Sequence, residues 1–347
     1  MDENSTETNN KAIKDKISPE PLKPFADPVM EAVFANEGVA GLAARGLINA
    51  ILAESGDPLI GEITRITPQK SMPDVLGRGY RFDIEARVDN KELADIEIQM
   101  RGMDMNNRGL LYGGRFLNEN AERGAEMEVV LKTMPRVIMI NILHFDLRKN
   151  HQDFHQPVEF MYRKPQKTGE YERASDRLVV HNIELLKFMR YVLPALRGKP
   201  YSKETPELYY WLWAMCVSHE ENKTLGEVIG VNSVLTEFAA KNEGFKQYAQ
   251  RYEDISRDQK VRRMYAIWTE GMSALEQART EGMREGIEKG IEEGIEKGIE
   301  KGIEKGEEIG ANKVLDLMSQ GYTADEIKKI MAESKSDKED RVSPPIV

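Results

Sequence analysis

The sequence predicts an α/β domain built on a mixed sheet flanked by helices, followed by a mostly helical C-terminal region. Alternating apolar residues at 80–88 and 93–100 are typical of paired, half-buried strands. The run RVIMINILHF (136–145) is typical of a strand that is buried on both faces. Apolar residues at helical spacing precede and follow these strands, so we expect helices to cover the sheet.

Length and composition define the class of protein. The 347 residues leave room for about two domains at roughly 150 residues each, and 40% hydrophobic with 31% charged residues excludes a collagen-like or wholly disordered chain. The opening MDENSTETNN has no secretory character, and no apolar run reaches the ~20 residues of a membrane helix. We therefore expect a cytoplasmic protein with no membrane partner. The single cysteine, Cys216, has no disulfide partner, and we expect it to be buried beside Trp211 and Trp213.

The first half of the chain predicts a polar arm and then the α/β domain. The arm, residues 1–26, has no periodic apolar face and is expected to be disordered; the domain begins at Asp27 and ends near Asn150. Its predicted elements are one or two helices in 28–52 with a break near Gly38, strands at 62–66, 80–88 and 93–100, a helix at 106–131, and the buried strand at 136–145.

The second half of the chain predicts mostly helices. Residues 151–280 form this region, with a connection at 151–175 and helices from HNIELLKFMRYVL (181–193) to about 272. A Gly/Ile/Glu/Lys repeat occupies 281–310, a short helical pair 311–333, and a disordered tail 334–347. Gly321 is expected to end the first helix of the pair, and Thr323 with Glu326 to open the second as a capping box.

The repeat has glycine at every fourth position from Gly282 to Gly310, and an isoleucine directly after five of these glycines. A four-residue period advances about 40° per repeat on a helix, so the isoleucines wind around the rod. Each glycine also costs about 1 kcal/mol relative to alanine. We therefore expect a partly helical charged spacer; the alternative is an element through which the chain forms a homo-oligomer.

The net charge of −10 argues against a nucleic-acid partner only at first sight. Ten Glu against Arg284 and four Lys give residues 281–310 a net charge of −5, which is half of the total. The rest of the chain is only mildly acidic, so a local basic surface is compatible with the composition.

The strongest candidate site lies in YRFDIEARVDNKELADIEIQM, residues 80–100. An antiparallel hairpin with its turn at VDNKE would set Asp83 opposite Glu97 and Glu85 opposite Asp95. Like charges about 5 Å apart are destabilising. A divalent cation between Asp83 and Glu97 would offset the repulsion; the alternative is a solvated face whose carboxylates are neutralised by arginines and water.

The order of these motifs resembles a known family. The matching segments are RFDIEARV with Asp83, DIEIQM with Glu97 and Gln99, NNRGLLYGGRF with Arg108 and Tyr112, and then VIMINILHF and HNIELLKF. Together they resemble the recombination-promoting nuclease/putative transposase family, a branch of the PD-(D/E)XK nuclease superfamily. The resemblance covers most of residues 27–331 and implies a restriction-endonuclease-like fold for 27–150.

The resemblance also implies a function, metal-dependent endonuclease cleavage of DNA associated with recombination or mobile elements. Asp83 and Glu97 match the metal-binding acids of the family, which implies Mg²⁺ as the cofactor. Gln99, the third catalytic residue, stands where most of the superfamily has lysine; it can orient water but supplies no positive charge. Many members add an acid from the first helix, and Glu54 or Asp57 are the candidates here.

Three arginines are the candidates for DNA binding. Arg101, Arg108 and Arg115 recur every seven residues, so on a helix they share one face close to the strand that carries Glu97. We expect them to contact phosphates; the alternative is an ordinary solvated face.

A competing hypothesis is a catalytically weak or inactive nuclease fold that binds DNA or protein and self-associates through the repeat.

Two other pairs of residues are less informative about function. His151 and His155 are expected to be a loop or surface pair, because no third zinc ligand is evident. Glu184 and Lys187 are expected to form an ion pair on a helix surface.

Overall fold

A computed structural model describes residues 20–34, 40–72, 80–88, 92–99, 102, 104–119, 124, 126–164 and 166–339. The chain divides into two compact units between Gly271 and Met272. The first unit holds a sheet and the helices around it. The second unit holds the glycine repeat and the last helix.

Six strands form one mixed sheet in the order β1-β2-β3-β4-β6-β5. The pairs β1–β2, β2–β3 and β5–β6 are antiparallel, whereas β3–β4 and β4–β6 are parallel. This confirms the predicted mixed sheet. The strands are β1 (Ile63–Met72), β2 (Tyr80–Val88), β3 (Leu93–Gln99), β4 (Val137–Leu143), β5 (His155–Met161) and β6 (Arg173–Glu184).

Helices make up most of the rest of the described chain. In chain order they are α1 (Asp27–Phe34), α2 (Ala40–Ser55), α3 (Met105–Glu119), α4 (Met127–Thr133), α5 (Leu185–Lys187), a π-helical turn (Phe188–Val192), α6 (Leu193–Leu196), α7 (Glu207–Glu220), α8 (Leu225–Val231), α9 (Ser233–Lys241), α10 (Glu243–Ser256), α11 (Gln259–Ser319) and α12 (Ala324–Glu339).

The two faces of the sheet support two separate apolar cores. Side chains alternate along a strand, so Ile96 and Ile140 lie on the face that packs into the larger core with α1, α2 and α7. Leu93 and Met139 lie on the other face, where they pack against α3. Every residue of β4 is buried, as the unbroken apolar run predicts.

Glycines in α3 allow this helix to lie close to the sheet. A Cβ on Gly109 would come within 3.0 Å of Val180, and a Cβ on Gly113 would overlap Leu178. These glycines weaken the helix by roughly 1 kcal/mol each. Their small size therefore serves the packing of α3 against β6.

The predicted domain boundary near residue 150 is wrong. Residues 151–184 contain β5 and β6, which complete the sheet, and the first unit continues to Gly271. The segment HNIE (181–184) is the end of β6, and the helix begins only at Leu185. Burial on both faces gives this strand a continuous apolar character that resembles a helix in sequence.

Three further boundaries differ from the sequence prediction. Leu22 and Phe25 are each 1% exposed and belong to the larger core, so the folded region begins before Asp27. The predicted helix 106–131 falls on two helices, because α3 ends at Glu119, Gly124 and Glu126 are not helical, and α4 begins at Met127. The predicted tail 334–347 overlaps α12, which extends to Glu339. Residues 1–19 and 340–347 lie outside the described part of the chain.

The glycine repeat is one continuous helix in the second unit, which corrects the prediction of a partly helical spacer. Residues 281–310 lie wholly within the 61-residue α11. A strict four-residue period sets like residues one turn apart, but the repeat departs from this at Arg284–Glu288 and Lys297–Glu293, which form opposite-charge pairs at 2.9 and 3.1 Å. These pairs and the good helix propensity of Glu and Lys offset part of the cost of glycine.

The end of this helix follows its predicted local signals. Gly321 adopts a φ of +89°, and its backbone N–H donates to Met318. The Thr323 N–H donates to Glu326 Oε2 at 2.8 Å, as expected where a capping box opens α12. None of the helices among the described residues combines the length and apolar character needed to cross a membrane.

Candidate functional site

A row of polar side chains crosses the face of the sheet that packs against α3. Strand register aligns Glu97 with Asn141 and Asn182, and β5 adds Gln156. Glu97, Asn141 and Asn182 are each 1% exposed, and Asn141 Nδ2 donates to Asn182 Oδ1 at 2.8 Å. Aligned residues of neighbouring strands share a face. Carboxylate and amide groups therefore follow one another across four strands.

The carboxylate of Glu97 is held by an arginine from α3. Arg108 donates from Nε to Oε2 at 2.9 Å and from Nη2 to Oε1 at 3.1 Å, which is a bidentate contact. The guanidinium also lies over the Tyr112 ring, 4.4 Å from its centre. Burial raises the pKa of Glu97, and the hydrogen bond and charge of Arg108 only partly oppose this rise. The charged form of Glu97 is thus energetically unfavourable at this position.

The predicted hairpin register is confirmed where β2 and β3 pair. Glu85 lies opposite Asp95, and both are buried, at 1% and 0% exposure. Arg87 Nε donates to Glu85 Oε1 at 3.0 Å. The structure therefore brings two acidic residues together in the interior beside Glu97, as the alternation of the sequence predicts.

Asp83 and Gln99 occupy strand positions next to this pairing. Ile84 pairs with Ile96, so Asp83 and Glu97 are the residues that follow directly at the end of the paired segment. Gln99 aligns with Leu143 of β4. The side chains of Asp83 and Gln99 lie outside the described part of the chain, so their catalytic roles stay predictions.

Of the three predicted DNA-binding arginines, two lie on α3. Arg108 and Arg115 are seven residues apart on this helix and are both half-buried. Arg101 lies outside the described residues. Arg108 differs from the expected solvated or phosphate-facing residue, because its guanidinium binds Glu97.

Glu184 and Lys187 are not a helix-surface pair. Glu184 ends β6 and Lys187 lies in α5; they are 0% and 1% exposed and form an ion pair at 3.0 Å. Glu184 Oε2 accepts from the N–H of Leu147 at 2.6 Å, and Lys187 Nζ donates to the carbonyl of Arg148 at 2.8 Å. The buried pair therefore fixes the backbone of the loop after β4.

This loop brings a further positively charged side chain, that of Arg148, to the polar row. The Arg148 guanidinium donates to Gln156 Oε1 and is exposed to solvent. Arg148, Asn141 and Asn182 are not among the site residues predicted from the sequence. Asn141 is the only polar residue in the buried strand VIMINIL, and such an interruption is the signal that points to it.

Glu54 and Asp57 lie on the other side of the sheet from Glu97. Glu54 hydrogen-bonds to His155 Nδ1, and His155 Nε2 lies 3.0 Å from His181 Nδ1. Asp57 accepts from Arg173 at 3.1 Å and lies 3.8 Å from His181. His181 precedes Asn182 in β6 and so faces the opposite side of the strand. The structure does not bring either predicted extra acid to Glu97.

The expectation of a loop or surface pair holds for His151 but not for His155. His151 is exposed in the loop after β4, whereas His155 is 8% exposed and lies in the buried network with Glu54 and His181. No local pattern predicts this network, because its members come from α2, from the segment after α2, and from β5 and β6.

Comparison with known proteins identifies the family. Neither the curated proteins nor the solved structures gave a significant match to the chain. The family model for the PD-(D/E)XK nuclease family transposase matches residues 24–271, which is more than half of the chain. This range holds all six strands and the whole polar row. The chain belongs to the family of PD-(D/E)XK nuclease family transposases.

Proposed function

We propose that this protein is a metal-dependent DNA endonuclease that hydrolyses phosphodiester bonds in recombination or in mobile elements. The main support is the buried Glu97 carboxylate, which lies at the end of the β2–β3 pairing beside the position of Asp83. Burial disfavours the charged form of this carboxylate and raises its pKa. A carboxylate with such a perturbed pKa is typical of a functional site.

Two acids are the proposed metal ligands. Glu97 and Asp83 would hold Mg²⁺, which prefers carboxylate oxygens together with water and phosphate oxygens. The neighbouring Asn141 and Asn182 side chains add neutral oxygens and N–H donors to the same face, so the donor set suits a hard cation. When bound, Mg²⁺ lowers the pKa of a water molecule and stabilises negative charge on the phosphate.

The other residues of the row would orient the substrate and the attacking water. Gln99 follows Glu97 by two residues on the same strand, and its side-chain carbonyl would accept a hydrogen bond from the attacking water. Arg148, exposed beside Gln156, is a proposed phosphate contact, together with Arg101 and Arg115. Glu184 and Lys187 would act as positioning residues, since they fix the loop that carries Arg148.

Arg108 links metal binding to DNA binding in this proposal. Both Glu97 oxygens accept hydrogen bonds from Arg108, so the arginine and a cation compete for one carboxylate. We propose that Arg108 turns to a DNA phosphate when Glu97 binds the cation. Its positive charge would then partly replace that of the lysine which most of the superfamily has at the position of Gln99.

The same ion pair favours a second candidate function. A Glu97 that stays neutralised by Arg108, next to an uncharged Gln99, describes a nuclease fold that binds DNA or protein without cutting. In this alternative the polar row recognises the backbone of DNA, and the repeat helix forms a homo-oligomer.

Nicking of supercoiled plasmid tests the proposal. The full chain with Mg²⁺ should convert supercoiled to nicked DNA, and Asp83→Ala should lower this rate on the order of 100-fold, because removing even indirect support of a metal site costs up to this factor. DNA binding, measured by fluorescence anisotropy in Ca²⁺ or EDTA, should be retained.

Asp176→Ala is the matched control, because Asp176 is an exposed aspartate at the start of β6. It should nick DNA at the rate of the parent. Nicking that is unchanged in Asp83→Ala would overturn the assigned site. A parent that binds DNA but nicks under no divalent metal would favour the binding module.

A further inference from the structure

A second group of metal-ligand side chains lies apart from the polar row. His144 directly follows β4, and His219 and Glu220 are the last two residues of α7. Within the described residues, one ligand atom from each of these three lies within 4.8 Å of the other two. His144 Nε2 lies 3.1 Å from Glu220 Oε1.

His219 provides independent evidence for a ligand. Its side chain is only 6% exposed, yet its Nδ1 has no hydrogen-bond partner among the described residues. A buried polar atom without a partner typically costs about 1–3 kcal/mol. The His144 ring lies 5.2 Å away between ring centres, and the Phe25 ring packs against His219 at 5.6 Å. His219 is therefore fixed in place next to the group.

The charge of Lys23 acts on this site. Lys23 lies close enough to His219 for its positive charge to affect the imidazole. This charge opposes a bound cation, so we expect weaker binding than in a closed cysteine site.

We propose that His144, His219 and Glu220 form a binding site for a divalent transition metal of the Zn²⁺ class. Two imidazoles with one carboxylate are a donor set that zinc favours and Mg²⁺ does not. Tetrahedral zinc places neighbouring ligand atoms about 3.3–3.5 Å apart, so small rotations of the three side chains suffice. The Glu220 and His144 side chains are 47% and 25% exposed, which leaves an entry route and a position for water.

The proposed ion would join two elements of the first unit. His144 belongs to the end of β4, and the other two ligands to the end of α7, so coordination would hold this helix end to the sheet. None of its ligands belongs to the proposed nuclease site. The proposal therefore stands whether or not the protein cuts DNA.

Titration of the metal-free full chain with Co²⁺, followed by competition with Zn²⁺, tests the site. The Asp83→Asn background removes a proposed ligand of the nuclease site. We expect one equivalent of Co²⁺ with visible absorption bands and displacement by Zn²⁺. His144→Ala and Glu220→Gln should each weaken binding at least 10-fold, since the loss of mere support for a ligand already costs about 10–100-fold.

Matched variants separate this site from incidental binding. His151→Ala removes an exposed histidine, and Glu221→Gln removes the acid next to Glu220; both should bind Co²⁺ like the parent. Circular dichroism in EDTA checks that each variant folds. If His144→Ala does not fold, Glu220→Gln still tests the site, because the Glu220 side chain is exposed. Absence of Co²⁺ binding, or binding that Glu220→Gln leaves unchanged, would overturn the proposal.

Discussion

Glu97 is an acidic residue at a position where burial favours the neutral form. Its side chain is 1% exposed, and burial raises its pKa although Arg108 donates two hydrogen bonds to it. The folded chain therefore binds a proton at Glu97 more tightly than the unfolded chain does. As the pH rises through the raised pKa, ionisation of Glu97 reduces the free energy of unfolding.

The burial of Glu97 predicts that a single substitution at this residue lowers activity and raises stability. Glu97→Gln should abolish nicking and, in EDTA at pH 7, raise the free energy of unfolding by about 0.5–1 kcal/mol. The amide removes the cost of burying a charge, and its carbonyl still accepts a hydrogen bond from Arg108. Urea unfolding followed by tryptophan fluorescence measures the change.

The pH provides the control for this variant. A protonated Glu97 resembles glutamine in charge, so the difference between parent and Glu97→Gln should shrink as the pH falls. A variant that is less stable than the parent at pH 7 would instead show that the ion pair with Arg108 outweighs the cost of burial.

The repeat within α11 shows what glycine does in an exposed helix. The five isoleucines that directly follow a glycine of the repeat are 56–59% exposed, and a Cβ built on any of its eight glycines would meet nothing within 4 Å. The glycines are thus not required by contacts among the described residues. They lower helix stability without a packing role of the kind that Gly109 and Gly113 have in α3.

Alanine at the repeat glycines should therefore stabilise this helix. We expect Gly286→Ala, Gly290→Ala and Gly294→Ala together to raise its stability by about 0.5–1 kcal/mol each, seen as stronger far-UV helical signal at elevated temperature. Sedimentation of the same variant tests the homo-oligomer alternative. A mass that falls in this variant and after truncation at Thr280 would mean that the glycines form contacts between copies of the chain, which contradicts the spacer hypothesis.

The elements that the sequence predicts well are those with a clear period. The β2–β3 hairpin follows a strict two-residue alternation, so its bounds and the Glu85–Asp95 register follow from the sequence. The sequence does not predict β5, because this strand lies at the edge of the sheet. Val158 and Phe160 are exposed there, and the alternation of buried apolar residues is lost. The Arg108–Glu97 ion pair could not be predicted either, because it depends on how α3 lies over the sheet. This long-range feature has no local signal in the sequence.

At the scale of the whole molecule, a buried histidine makes the fold sensitive to acid. His181 is 0% exposed, between His155 at 3.0 Å and Asp57 at 3.8 Å. Burial, with the charges of His155, Arg136 and Arg173, lowers the pKa of His181 to about 3 although Asp57 opposes the shift. The folded protein therefore keeps His181 neutral over a pH range in which an unfolded chain protonates it.

The global stability should fall as the pH decreases below about 6.5, the ordinary pKa of histidine. Between this pH and the folded value the unfolded chain binds one more proton at His181, so the free energy of unfolding decreases by up to about 1.4 kcal/mol per pH unit. Urea unfolding between pH 6.5 and 4 measures this slope. His181→Gln, which cannot take up the proton, should reduce the slope by about one proton even if it is less stable overall, whereas His151→Gln, at an exposed position, should not. An equal slope in the parent and His181→Gln would mean that other groups account for the loss of stability in acid.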